Sequence, residues 1–383
     1  MIKRQADDFI VEEKSTPKLS DQGEYRAYLL QKRHWNTLDL LGRLSRDLGL
    51  PLPLFSYGGK KDKHGLTRQL VAIRDQRDWS RRGENFSLQA LGFMERPMGP
   101  DLIRGNQFQV CLRSLARLEP ILTNLPDVTA SGFANFFDEQ RFRSWDPQLG
   151  FFAEKIALRH FNGALKVYLT SRFPGLSKTE KERRAKLESH WHDWKLCQHL
   201  ASGPLENRIF ARLIRNQRAF SSALELIPLP ELSMLYSSFQ SHLWNELLRE
   251  LIRNKVSSYQ PTPGREGPYL FWTGASTGHD YLQKLEIPTA AASMTFPDDL
   301  VASLFAEILA KRGLKPSSFR TKVLSKAYFK SIPRPATVFP ENLEIVSQGI
   351  DVLHPGRRQL TLSFFLPRGV YATMLIKRIC LRG

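Results

Sequence analysis

Two periodicities alternate along this chain, and a fold built from one kind of element cannot satisfy both. DDFIVEE at 7–13 alternates apolar and polar side chains, as a strand with one buried face does. From Thr37, TLDLLGRLSRDLGLP places Leu38, Leu41, Leu44 and Leu48 at helical spacing. Thr37 is positioned to cap that helix and Gly49, before Pro51, to stop it. Extended character returns in PLPLFSY, in RQLVAI (68–73) and in RGNQFQVCLRSL (104–115). Helical spacing governs 151–172, 177–200, ENRIFARLIRNQRAF, YSSFQSHLWNELLRELIRNK (236–255) and 298–313. The end reads as strand, Pro–Arg–Gly turn and helix. The expectation is a mixed α/β protein, and 383 residues suit two domains better than one.

Composition narrows the function. A hydrophobic content of 42% with 24 Phe supplies a large core and argues against disorder. No run approaches the roughly 18–20 uncharged apolar residues of a membrane span, so no membrane partner is expected. The N-terminus turns acidic before an apolar stretch develops, which is unlike a secretory signal. Cys111, Cys197 and Cys380 are scattered and odd in number, as expected of packed thiols in a reducing cytoplasm. Lys plus Arg total 56 against 38 acidic residues, a net charge of +18. An excess of that size points to a polyanion such as nucleic acid, because neutralising phosphates releases counterions.

Several chemistries have no motif here. The glycine-rich nucleotide loops, H-E-x-x-H, paired C-x-x-C and G-x-S-x-G are all absent. His190, His192, Cys197 and His199 would scatter around a helix, whereas zinc needs converging ligands. Arg208, Arg212, Arg215 and Arg218 share a helical face that reads either as a solvated surface or as a phosphate-contacting stripe. One carboxylate stands out. Asp62 lies in YGGKKDKHGLTRQ among Lys60, Lys61, Lys63, His64 and Arg68, on a loop between two extended segments. It either balances charge on a solvated turn or is kept ionised for chemistry.

Seven segments in order resemble the TruD-type tRNA pseudouridine synthases. They are DDFIVEE, KRHWNTLDLLGRLS (32–45), GGKKDKHGLTRQ (58–69), RGNQF (104–108), NFFDEQRF (135–142), QSHLWNELL (240–248) and LPRGVYATML (366–375). The resemblance implies a pseudouridine synthase domain of α/β (α+β) type with a mixed, mainly antiparallel sheet. An inserted α/β TRUD domain would interrupt it at about 151–330, leaving 1–150 and 331–383 to form the catalytic part. The implied reaction turns a uridine of RNA, notably uridine 13 of transfer RNA, into pseudouridine. It needs neither cofactor nor metal, and a monomer suffices.

Carried over by motif, Asp62 is the catalytic aspartate and Lys3 a lysine near it. Phe9 shapes the pocket, Asn135 and Phe137 meet the flipped base, and Tyr371 stacks on the uracil. Each has a plainer role open to it: Phe9 and Phe137 as core, Asn135 as a turn residue, and Lys3 as a solvated terminal charge. Asp138 and Arg143 stand where the family carries glycine, which would permit positive φ or a close backbone approach. The alternatives are a non-catalytic RNA-binding protein or chaperone on the same scaffold, and a synthase acting on another RNA.

Overall fold

The structure, a computed structural model, describes residues 4–321, 324 and 327–381. It divides into two compact units, Met1–Gly132 with Phe339–Gly383 and Phe133–Val338. The first unit opens with β1 (Phe9–Ser15), β2 (Tyr25–Lys32), α1 (Thr37–Leu48), β3 (Phe55–Tyr57) and β4 (Leu66–Ile73). It continues through β5 (Arg81–Gly83), β6 (Phe86–Met94), β7 (Ile103–Leu115) and α2 (Glu119–Ser131). The second unit begins at β8 (Phe133–Ala134). Helices α3 (Phe152–Ala157), α4 (Phe161–Thr170), α5 (Lys178–Ser189), α6 (Trp194–His199), α7 (Pro204–Arg215), α8 (Phe220–Leu224) and α9 (Leu229–Lys255) follow. It then alternates β9 (Gln260–Thr262), β10 (Tyr269–Phe271), α10 (His279–Gln283), β11 (Glu286–Pro288), α11 (Asp299–Ala310), β12 (Pro333–Pro335) and β13 (Thr337–Val338). The chain returns to the first unit for β14 (Glu341–Ile350), β15 (Arg358–Pro367) and α12 (Ala372–Ile379).

The first unit is built on a nine-stranded sheet in the order β14-β15-β7-β1-β4-β2-β6-β5, with β3 paired to β4. Only β1 and β4 run parallel among the pairs of this sheet. The sheet is therefore mixed and mainly antiparallel, as the resemblance implied. Leu40, Leu41 and Leu44 of α1 bury against Tyr28 and Leu30 of β2, Val71 and Ile73 of β4, and Leu88 of β6. Of the leucines whose spacing marks a stripe, Leu41 and Leu44 are buried and Leu48 packs at the edge, but Leu38 is 39% exposed and Leu40 takes the inward place. Gly49 ends α1 at φ 65°, where a β-carbon would be strained.

Thr37 does not cap α1. It is the first helical residue, Asn36 stands at the cap, and the Thr37 hydroxyl is used elsewhere. The two long helical readings also divide. Arg159, at φ 56°, separates α3 from α4, and His192, at φ 87°, lies between α5 and α6. Neither break carries the glycine or proline that would announce it in a sequence. The turn from one unit to the other falls at Gly132/Phe133 and Val338/Phe339, whereas the sequence reading placed it near 150 and 331. Strands β8 and β13 pair there, Ala134 with Thr337 and Phe133 with Val338, holding the entering and leaving chain side by side. Among the described residues no helix is long and apolar enough to cross a membrane.

Candidate active site

Strands β3 and β4 form a hairpin, Tyr57 opposite Val71, and residues 58–65 make the loop that carries Asp62. The loop is held by side chains from three neighbouring elements. Gln69 of β4 donates its amide to the Gly59 carbonyl at 3.0 Å. Thr37 donates to Gln69 Oε1 at 2.9 Å and accepts the Lys61 amide at 3.0 Å. The hydroxyl that sequence reading placed at the helix cap thus fastens α1 to the loop. Lys32, at the end of β2, donates to the Asp62 carbonyl at 2.9 Å.

The cations around Asp62 divide by direction. Lys60, Lys63 and His64 are exposed. Lys61 turns inward, its Nζ 2.5 Å from Glu13 Oε2 on β1, with side-chain exposures of only 9% and 0%. Burial raises the Glu13 carboxyl above its ordinary value, and the Lys61 charge works against that rise. Arg68 donates to Gln31 at 2.9 Å. Asp62 itself is half-buried, and its Oδ1 accepts the His64 amide at 3.1 Å. That bond orients the carboxylate from within the loop.

Phe9 and Tyr371 are tied to the same region of the sheet unit. A β-carbon at Gly65 would run into the Phe9 carbonyl and come within 3.1 Å of its ring, so the loop's exit passes directly over Phe9. The Phe9 ring is 5% exposed and packs on Phe108, which stacks on Phe364. The entry to the loop leans on the turn before β7, where a β-carbon at Gly58 would meet Ile103 and the Gly99 carbonyl. The turn carrying Tyr371 fastens to that same stretch. Arg368 donates its amide to the Arg104 carbonyl at 3.1 Å and its guanidinium to the Pro100 carbonyl at 2.9 Å. Tyr371 stands at the cap of α12, partly exposed. Lys3 lies outside the described residues.

Asn135 and Phe137 belong to the second unit, where one arginine joins them. Arg334 donates to Asn135 Oδ1 at 2.5 Å and lies 4.2 Å from the Phe137 ring centroid. Asn135 donates in turn to the Pro335 carbonyl at 2.9 Å and is 1% exposed, so part of its amide is committed internally. Trp244 meets Phe137 edge-on at 5.6 Å. Arg141 reaches over Phe137 at 5.7 Å and donates to Ser241 at 3.3 Å.

The backbone of Phe137 is gripped by α9. Its amide donates to Asn245 Oδ1 at 2.9 Å, and Asn245 Nδ2 donates back to the Phe137 carbonyl at 3.0 Å. Behind Asn245 stands Glu266, which accepts from Asn245 at 2.8 Å, Arg249 at 2.8 Å and His242 Nδ1 at 2.7 Å. The Arg312 guanidinium at His242 Nε2, 2.5 Å away, leaves the ring proton on Nδ1. Burial alone would raise the Glu266 carboxyl, but the hydrogen bonds from His242 and Arg249 hold it down at about 2. QSHLWNELL is therefore the support of NFF. Asp138 and Arg143 take ordinary φ values of −78° and −62°, so the side chains standing in place of glycine cause no left-handed strain.

Sequence reasoning overlooked Lys32, Glu13, Thr37 and Gln69 on the sheet side, and Asn245, Glu266 and Arg334 on the other. One signal was available. Lys32 continues the inward phase of Tyr28 and Leu30, and a charge in that phase requires a buried partner. Among the described residues no group of His, Cys, Asp and Glu could hold a metal ion.

Comparison with known proteins supplies the remaining finding. The family profile of tRNA pseudouridine synthase D (TruD) matches residues 1–266 and 283–379. A tRNA pseudouridine synthase D of Leptospira interrogans is 32% identical over 398 residues, covering 100% of this chain and 96% of the relative. One from Aquifex aeolicus is 27% identical over 390 residues, covering 99% and 97%. A crystal structure of a TruD protein from Methanosarcina mazei aligns with a TM-score of 0.74 at 22% identity, over 99% of this chain and 92% of that one. That last likeness speaks for the fold.

Proposed function

The chain belongs to the TruD family of tRNA pseudouridine synthases, and from that premise we propose that it isomerises uridine 13 of transfer RNA with Asp62 as the catalytic carboxylate. In the reaction the N1–C1′ bond breaks, the base turns and C5 bonds to C1′. The C5 proton leaves and N1 gains one, so no atom is gained or lost overall. A carboxylate serves either as nucleophile or as the base that opens a glycal path. Both uses require an ionised group at a fixed place. The observation that carries the reading is the Asp62 loop itself: a half-buried carboxylate on main chain pinned by Lys32, Thr37 and Gln69.

The sheet unit acts as the catalytic domain and the second unit as the inserted TRUD domain. Phe9 floors the pocket beside the loop, and Tyr371 stacks on the extruded uracil. By their motif, Asn135 and Phe137 are assigned to the flipped base. The enzyme works as a monomer without a cofactor, and the +18 charge draws in the RNA backbone.

The test incubates wild type and Asp62→Ala with a transfer RNA transcript and with the same transcript carrying cytidine at position 13. Pseudouridine is then mapped by carbodiimide stops. A stop at position 13 with wild type alone is expected. Equal product from both proteins removes Asp62, and a stop elsewhere moves the target.

A further inference from the structure

A buried ammonium is tolerated when each of its three N–H groups finds an acceptor. Lys32 is 1% exposed. Its Nζ donates to the carbonyls of Trp35 at 2.7 Å, Asp62 at 2.9 Å and Lys61 at 3.3 Å. Three donors meet three carbonyls, and none is left over for substrate. Two of those carbonyls belong to the peptides on either side of the Asp62 α-carbon. The third precedes α1, whose Thr37 also holds the loop. A single side chain therefore joins the end of β2, the entry to α1 and both peptides flanking Asp62.

We propose that Lys32 is a positioning residue for the reaction, fixing the main chain on both sides of Asp62 and setting a positive charge close to its carboxylate. This rests on the reading of Asp62 as the catalytic group. A neutral amine carries only two N–H groups and could not meet all three carbonyls, and the charge has a further effect. Burial brings the Lys32 ammonium down to about 8, while the Asp62 carboxylate opposes that fall and Lys61 adds to it. The attraction between Lys32 and Asp62 is mutual, so the ammonium favours the ionised carboxylate as much as the carboxylate favours the ammonium. The other charges at hand are Lys61, on the loop, and Glu13, which faces Lys61 from β1.

The test compares wild type with Lys32→Met, which keeps the stem without donors or charge, and with Lys32→Arg, which keeps the charge. Asp62→Asn runs alongside. Tritium release from transfer RNA labelled at uridine C5 yields kcat, KM and the pH profile of kcat, and thermal melts report folding. Lys32→Met is expected to lose on the order of 100-fold in kcat, the scale for displacing a catalytic group by about 1 Å, with KM within about threefold. Its acid limb moves up by roughly one pH unit, the lower end of what an opposite neighbouring charge produces. Lys32→Arg presents a planar fork to three divergent carbonyls and loses roughly tenfold in kcat, with the acid limb unmoved. Wild-type kcat in Lys32→Met, or a loss with an unmoved acid limb, overturns the proposal. Should Lys32→Met not melt cooperatively, Lys32→Arg decides, and wild-type kcat in that variant overturns it. Product from Asp62→Asn removes the underlying catalytic reading. An inactive Asp62→Asn beside a wild-type-like Lys32→Met defeats the present inference alone.

Discussion

Replacing Lys61 by methionine leaves Glu13 inside the sheet unit without its cation, and the loss that follows depends on pH in a calculable way. The methionine keeps the stem's apolar packing, so the change is mainly electrostatic. Burial already raises the Glu13 carboxyl above its ordinary value of 4.5, and Lys61 is what limits that rise. Without Lys61 the folded protein holds Glu13 protonated, while the unfolded chain releases the proton near 4.5. The folded state then binds more protons than the unfolded state, so stability falls as pH rises from 4.5 towards the raised value. The loss per pH unit is about 1.4 kcal/mol. Measured from the ordinary 4.5, the ceiling on the destabilisation is about 3.4 kcal/mol at pH 7, about 2.0 at pH 6 and about 0.7 at pH 5. Urea unfolding of wild type and Lys61→Met at those three pH values measures the differences. A second arm adds Glu13→Gln, which removes the titrating group and should flatten the dependence. A destabilisation equal at all three pH values, or one well above the ceiling at pH 7, would refute the assignment of Lys61 as the counter-charge of Glu13.

Two further outcomes follow from the packing around the loop and around Phe137. Gly65→Ala drives a methyl group into the Phe9 carbonyl, which is backbone and cannot swing aside. It is expected to cost about 1–3 kcal/mol in thermal or urea melts and to lower kcat by displacing Asp62, and a wild-type melting point would contradict the contact. Asn245→Leu strips partners from the buried amide and carbonyl of Phe137 together. At about 1–3 kcal/mol for each orphaned group, a loss of about 2–6 kcal/mol is expected by denaturant titration, and one under about 1 kcal/mol would mean that water replaces the amide.

Much of the first unit was legible because local pattern and tertiary environment agree there. Leu41 and Leu44 of α1 meet β2 and β4 as their spacing marks, although Leu38 faces solvent and Leu40 replaces it, and β1, β4 and β7 lie where extended segments were read. Legibility failed where a single side chain serves a distant partner. Thr37 has the chemistry of a helix cap, but its hydroxyl is claimed by Gln69 and the Lys61 amide, and local preference yields to that contact. Asn135 and Phe137 were recognisable by motif, whereas Arg334 and Asn245, which hold them, sit some two hundred and one hundred residues away. The breaks at Arg159 and His192 were invisible for a related reason: both residues adopt left-handed backbone without the glycine that would signal it.

The chain's own letters determined its charge, its alternation of strand and helix, and the order of seven motifs that place Asp62 on a loop between two strands. They could not say which lysine of KKDK turns inward, because a loop has no period to phase its side chains. The tertiary structure decided that Lys61 meets Glu13 while Lys60 and Lys63 face solvent. It likewise decided that the buried amine holding the Asp62 carbonyl comes from Lys32, thirty residues earlier. The physical reason is that a buried charge must be met in space, and its partners are chosen by how the sheet brings β1, β2 and β4 together.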